Sequence, residues 1–129
     1  MKTYLTVSIA MLTGMAIGGF AVQGLHAQGG KLKAYSVGEV ERVGTDTDPA
    51  YLDTVRKAIV AAHGKALRTV GGRVVKIEGG EPPKGVAIVE WDSLDDAVAF
   101  YKSKAWTDLA PQRDKVQKTI RRYVVEVEK

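Results

Sequence analysis

Within residues 71–106 the hydrophobic period changes from two to about three and a half, and this constrains the fold more than any other feature of the chain. Behind the glycine pair Gly71-Gly72, R-V-V-K-I-E at 73–78 reads as a strand. G-G-E-P-P-K-G at 79–85 is a turn that neither helix nor strand can cross. V-A-I-V-E-W at 86–91 is a second strand of this passage, apolar except for Glu90, as expected of a central strand covered on both faces. Asp92 or Ser93 then caps a helix with Asp95 and Asp96 in its first turn, where the helix dipole favours negative charge. Leu94, Ala97, Val98, Phe100 and Tyr101 recur at helical spacing and form its buried side.

The flanks complete the unit. Residues 33–43 alternate, with Tyr35, Val37, Glu39 and Glu41 on one face and Ala34, Ser36, Gly38 and Val40 on the other. Asp48 before Pro49 is a helix start, since aspartate accepts free amide hydrogens there and proline sits without penalty at the first helical position. Leu52, Val55, Ile59, Ala62, Ala66 and Val70 predict a long helix closed by Gly71-Gly72, with Gly64 inside it as a kink or an early end. A further helical stretch is predicted over 104–119, anchored by Trp106, Leu109, Val116 and Ile120 and bent or restarted at Pro111. Residues 123–128 alternate again as the last strand. The order is β-α-β-β-α-β, an α+β domain with a four-stranded sheet. Helices on one face only would leave the other apolar face of a small domain uncovered, and a second copy packed sheet to sheet would cover it.

The front of the chain is of another kind. Met1 and Lys2 precede an uncharged apolar run from Tyr4 to Val22, followed by Q-G-L-H-A at 23–27. This is the layout of a secretory signal peptide, residues 1–27, with cleavage before Gln28. Residues 28–32 form a linker and residues 33–129 the folded domain. The expected location is periplasmic or secreted. The alternative is an uncleaved N-terminal anchor, because the apolar run approaches the roughly 20 residues that span a bilayer. Cleavage leaves about 100 residues, enough for one core. With no cysteine in the chain, disulfides, cysteine-zinc sites and thiol nucleophiles are excluded. A net charge of +4 without a block of like charge gives no footprint for nucleic acid.

Glu39 and Glu90 are candidate catalytic residues, each a carboxylate in an otherwise apolar strand. Desolvation would raise their proton affinity, as a general acid or base requires. The structural alternative pairs each with an arginine such as Arg73 or Arg113. Tyr101, Trp106 and Arg113, with Ser103 beside them, are candidate ligand-binding residues at the mouth of an apolar pocket, the arginine receiving an anionic group. They equally suit core aromatics, a helix-ending serine and an ion-paired arginine. If a pocket exists, Glu39, Glu90, Tyr101, Trp106 and Arg113 line it at the seam of sheet and helices. His63, the one histidine after the signal, suits a helix cap or the surface, and no metal site and no cofactor are expected. Gly71-Gly72 and Gly79-Gly80 lack the spacing of phosphate loops and read as backbone turns.

G-G-R-V-V at 71–75, G-G-E at 79–81, V-E-W-D-S-L at 89–94, A-F-Y-K-S at 99–103, Trp106 and Arg113 resemble the bacterial domain-of-unknown-function 1330 family over about residues 33–128. The predicted first helix is longer than the family's, and Trp106 stands where the family usually has tyrosine. The resemblance implies a ferredoxin-like, dimeric α/β-barrel fold: an antiparallel sheet with two helices on one face and a homodimer partner on the other. It implies no activity. Three functions fit this reading. One is an exported dimer that binds a hydrophobic or aromatic small molecule. Another is a small cofactor-free enzyme, monooxygenase-like or isomerase-like, using a strand carboxylate. The third is a structural partner of an envelope protein. None of them requires nucleic acid, or a membrane once the signal is removed.

Overall fold

The computed structural model describes residues 30–44 and 47–129. The predicted signal peptide and linker residues 28 and 29 lie outside the described residues. The elements run β1 (Ala34–Arg42), α1 (Pro49–Ala61), β2 (Lys65–Ala66), β3 (Gly85–Trp91), α2 (Leu94–Lys102), α3 (Lys104–Thr107), α4 (Ala110–Val116) and β4 (Gln117–Glu126). The sheet order is β2-β3-β1-β4 and every neighbouring pair is antiparallel. The predicted β-α-β-β-α-β order is therefore the observed one, with the final helical stretch broken into two short helices.

Cross-strand partners share a face, so the register sorts the sheet into two sides. Ser36 lies opposite Val89 and Val124, and Ala34 opposite Trp91. These residues face the helices: Val89 and Trp91 join Ile59 of α1 and Ala97 and Phe100 of α2 in the buried core, with Val55, Tyr101, Trp106 and Val124 packed against it. The other side carries Tyr35, Val37 and Glu39 of β1, Val86, Ile88 and Glu90 of β3, and Arg121, Tyr123 and Val125 of β4. Among the described residues no helix covers that side, and Tyr123 and Val125 remain about half exposed.

Helix starts follow the sequence closely. Asp48 accepts a hydrogen bond from the Tyr51 amide at 3.0 Å with Pro49 next to it, and Ser93 accepts one from the Asp96 amide at 3.1 Å. The end of α1 does not. The apolar spacing through Ala66 and Val70 predicts helix to residue 70, with Gly64 as the alternative early end; the early end occurs, and α1 stops at Ala61. His63 takes a left-handed backbone (φ 63), its amide donates to Val60 O at 3.0 Å, and the Gly64 amide donates to Ile59 O at 2.8 Å. This bond pair is a Schellman cap, and His63 fills the position usually held by glycine. Glycine is required one residue later, since a Cβ on Gly64 would lie 2.8 Å from both Ile59 and the Trp91 ring.

The early stop moves the second strand. It is Lys65–Ala66, opposite Glu90 and Val89, and the edge continues through the Leu67 amide to Ile88 O at 2.9 Å. The predicted strand at 73–78 is instead irregular chain outside the sheet, with Val75 and Ile77 exposed. β3 offers one free edge, and the segment that first reaches it after the helix cap takes it. The last strand is corrected as well: β4 begins at Gln117, not at 123, so the predicted helix over 104–119 ends at Val116. Pairing with the whole length of β1 outweighs the weak strand character of Q-K-T-I-R-R, helped by Glu41 opposite Lys118 and Glu39 opposite Arg121. Ile120 is the extra residue of a bulge between Thr119 and Arg121.

Candidate functional site

The helix-facing positions of β1, namely Ala34, Ser36, Gly38 and Val40, are all buried and succeed one another at about 7 Å. Each step meets different chemistry. At Ser36 the hydroxyl accepts a hydrogen bond from the Trp91 indole nitrogen at 3.0 Å and shares another with the Tyr101 hydroxyl at 2.7 Å. This ties the aromatic core to the centre of the sheet.

At Gly38 the cross-strand partner is Arg122, and its guanidinium lies over the glycine so closely that any Cβ there would collide with it. Arg122 Cζ stands 4.8 Å from the Trp106 ring centre and 5.2 Å from that of Tyr101. Arg113, brought in by α4, stacks on the same indole at 4.4 Å. Trp106 and Tyr101 meet edge to face at 5.0 Å. The layer is thus two guanidiniums against one indole, a cation-π arrangement. The ion pairs of the described residues are Lys33–Glu90, Lys57–Asp53, Lys76–Glu81 and Arg121–Glu39, so neither Arg113 nor Arg122 has a carboxylate among them. Arg113 Nη1 is buried without a hydrogen-bond partner. Tyr51 of α1 is 3% exposed. Burial pushes its phenol above the ordinary value, opposed by the positive charges of Arg113 and Arg122.

At Val40 the row opens into a cleft of about 420 Å³, walled by Val40, Tyr51, Leu52, Val70 and Val116, with Arg42, Lys84 and Asp48 also on its surface. Tyr51 belongs to both places, as a wall of the cleft and as the neighbour of the two arginines.

Of the predicted site residues, Tyr101, Trp106 and Arg113 come together. Glu39 and Glu90 do not join them: both lie on the opposite side of the sheet, so the five residues do not line one pocket. Glu39 is buried and accepts from Arg121 through Nε at 2.5 Å and Nη2 at 3.0 Å, and Glu90 accepts from Lys33. The partners are therefore Arg121 and Lys33 rather than Arg73 or Arg113. The hydrogen bond from Lys33 holds the Glu90 carboxyl below its ordinary value, the opposite of the rise expected from desolvation. Ser103 donates to Phe100 O at 2.6 Å and ends α2. Sequence reasoning missed Arg122 and Tyr51. Arg122 faces Gly38 through the register of β4 against β1, which no periodicity announces. Tyr51 was legible only as an aromatic in the first turn of a capped helix.

The Lys33–Glu90 pair makes a pH prediction. A depressed folded value means that the pair stabilises the protein fully above the ordinary glutamate value of 4.5 and loses that effect as the pH falls through the folded value. Glu90→Gln should lower the melting temperature at pH 7, and the gap to the unaltered protein should narrow as the pH falls below 4.5. Parallel melts from pH 7 downward check it; a gap that does not narrow in acid would assign the effect to something other than the charge.

Residues 33–127 match the family described as "Domain of unknown function (DUF1330)". The structure is similar to that of a protein of unknown function from Rhodopseudomonas palustris, with a TM-score of 0.54, 13% identity, and 83% of this chain and 90% of that chain covered. At that identity the likeness is one of fold. Weaker likenesses are to SnoaB, a cofactor-independent oxygenase from Streptomyces nogalater (TM-score 0.46, 11% identity, 76% and 95% covered), and to a dimeric ferredoxin-like protein of unknown function from Thermobifida fusca (0.39, 13%, 76% and 92%). No curated protein matches the sequence. With the family match spanning the whole sheet and its helices, the chain belongs to the domain-of-unknown-function family DUF1330 and has its ferredoxin-like α+β fold.

Proposed function

We propose that the protein is an exported homodimer that binds a small molecule in the cleft at the Val40 end of the helix face. The observation that carries the reading is the cleft itself. Its volume of about 420 Å³ suits a small organic ligand, its walls are mainly apolar, and Tyr51 connects it to a layer of aromatic rings and guanidiniums. The uncovered side of the sheet supports the dimer, and the charge-apolar-small pattern of residues 1–27 supports export. Catalysis by Glu39 or Glu90 finds no such support, because each carboxylate is engaged by a cation on the side of the sheet away from the cleft.

Native mass spectrometry of protein purified from its own cell tests the reading. The expected species is a dimer of chains beginning at Gln28 that carries a co-purified small molecule. Leu52, more than a third exposed, lines the cleft, so Leu52→Trp narrows it without touching the core. That variant should lose the bound mass and keep its melting temperature within a few degrees. Retention of the same molecule by Leu52→Trp would place it elsewhere.

A further inference from the structure

Building on the small-molecule reading of the cleft, we infer that its ligand is an organic carboxylate: a flat apolar body lies against Tyr51, Leu52 and Val40, and its acid group is drawn toward Arg113 and Arg122 behind Tyr51. The argument begins with charge. Both guanidiniums stack on the one Trp106 ring, at 4.4 and 4.8 Å, which puts the two charges within about 9 Å of each other. That is about the screening length at physiological salt, and the surroundings are partly dry, so the two repel. Such a pair is ordinarily offset by a carboxylate. None of the ion pairs of the described residues supplies one, and one guanidinium nitrogen of Arg113 is buried without an acceptor.

The cleft repeats the pattern. Among the described residues, Arg42 and Lys84 are on its surface against one acid, Asp48, whose side chain already accepts the Tyr51 amide as the cap of α1. Asp114 lies near Tyr51, but it forms no ion pair with either arginine. The field in and behind the cleft is therefore positive, and it selects an anion before any contact is made. A guanidinium presents its donors as a planar fork that fits the two oxygens of a carboxylate, and the indole and phenol rings suit a flat apolar body. Tyr51, a wall of the cleft that also neighbours both arginines, offers its hydroxyl as one more polar contact on the acid's path.

Isothermal titration of the full protein with 2-naphthoate and with neutral 2-naphthamide tests the inference. The acid should bind at least about tenfold more tightly than the amide of the same shape. Arg113→Gln and Arg122→Gln should each weaken naphthoate by about tenfold while naphthamide binds them as before, which also certifies that the variants are folded. Equal affinity of acid and amide would overturn the carboxylate assignment and leave the small-molecule reading standing. If neither probe binds, both the assignment and the cleft reading fall. If both arginine variants bind naphthoate undiminished, the two guanidiniums are core stacking partners of Trp106 only, and the inference is wrong.

Discussion

Trp91→Ala should destabilise the domain by about 3–5 kcal/mol and lower its melting temperature by more than about 10 °C. Trp91 is 1% exposed and sits where the two halves of the core meet. Its ring contacts Phe100 at 4.9 Å and Tyr101 at 6.0 Å between centres, and Gly64 is a glycine because the indole fills the space a side chain would need. Its N–H donates to Ser36, the hydroxyl that also holds Tyr101. Alanine removes the ring, the hydrogen bond and the prop behind the Schellman cap together. Trp91→Phe keeps most of the volume but loses the donor, so it should cost less, about 1–3 kcal/mol. Urea unfolding of the two variants separates packing from hydrogen bonding. An alanine variant within about 1 kcal/mol of the parent would show that the core does not depend on this ring.

The second large effect concerns assembly. Val37→Arg should weaken the proposed homodimer about a thousandfold, equivalent to about 4 kcal/mol. Val37 is at the centre of the side of the sheet that no helix covers, opposite Ile88 on one neighbour and Tyr123 on the other. In a twofold sheet-to-sheet dimer the substitution places an unpaired charge at the interface once from each subunit. In a single subunit the residue is only partly buried, so secondary structure should survive. Sedimentation over a range of concentrations, with circular dichroism as the folding control, reads the change. A Val37→Arg protein as dimeric as its parent would move the interface elsewhere, and a parent that is monomeric at micromolar concentration would remove the dimer altogether.

The contrast between what could and could not be read ahead of the structure follows the range of the forces involved. Asp48-Pro49 and Ser93 mark helix starts because capping is settled within three or four residues. The alternation at 33–43 marks a strand because one side of it is buried against helices, and the apolar run at 86–91 marks another because β3 lies inside the sheet. Residues 65–78 resisted the same treatment. Ala66 and Val70 continue a helical spacing, and R-V-V-K-I-E has better strand chemistry than Lys65-Ala66, yet the shorter segment takes the edge of β3. The cap at His63 decides this, and histidine in a left-handed conformation is not a signal that spacing can supply. Residues 117–122 are the same case at the other edge, where a polar segment is a strand because β1 lies beside it.

The candidate site divides along the same line. Tyr101, Trp106 and Arg113 were legible as a group because they lie close in sequence on the consecutive short helices α2, α3 and α4, which keep sequence neighbours near in space. Glu39 and Glu90 could be recognised as unusual, and the strand period places each on a side relative to its own neighbours. Which side the helices cover, and which cations lie opposite, depend on strand register and on packing between distant segments. Arg122 needed the register of β4 against β1 before it could face Gly38. By itself, then, the sequence determined the element order, the helix starts and the antiparallel α+β fold, because these rest on local hydrogen bonding and on one-sided burial. Only the tertiary structure decided which segment takes each sheet edge and which charged groups share a face, because those outcomes are set by competition among residues far apart in the chain for a few backbone edges and one core.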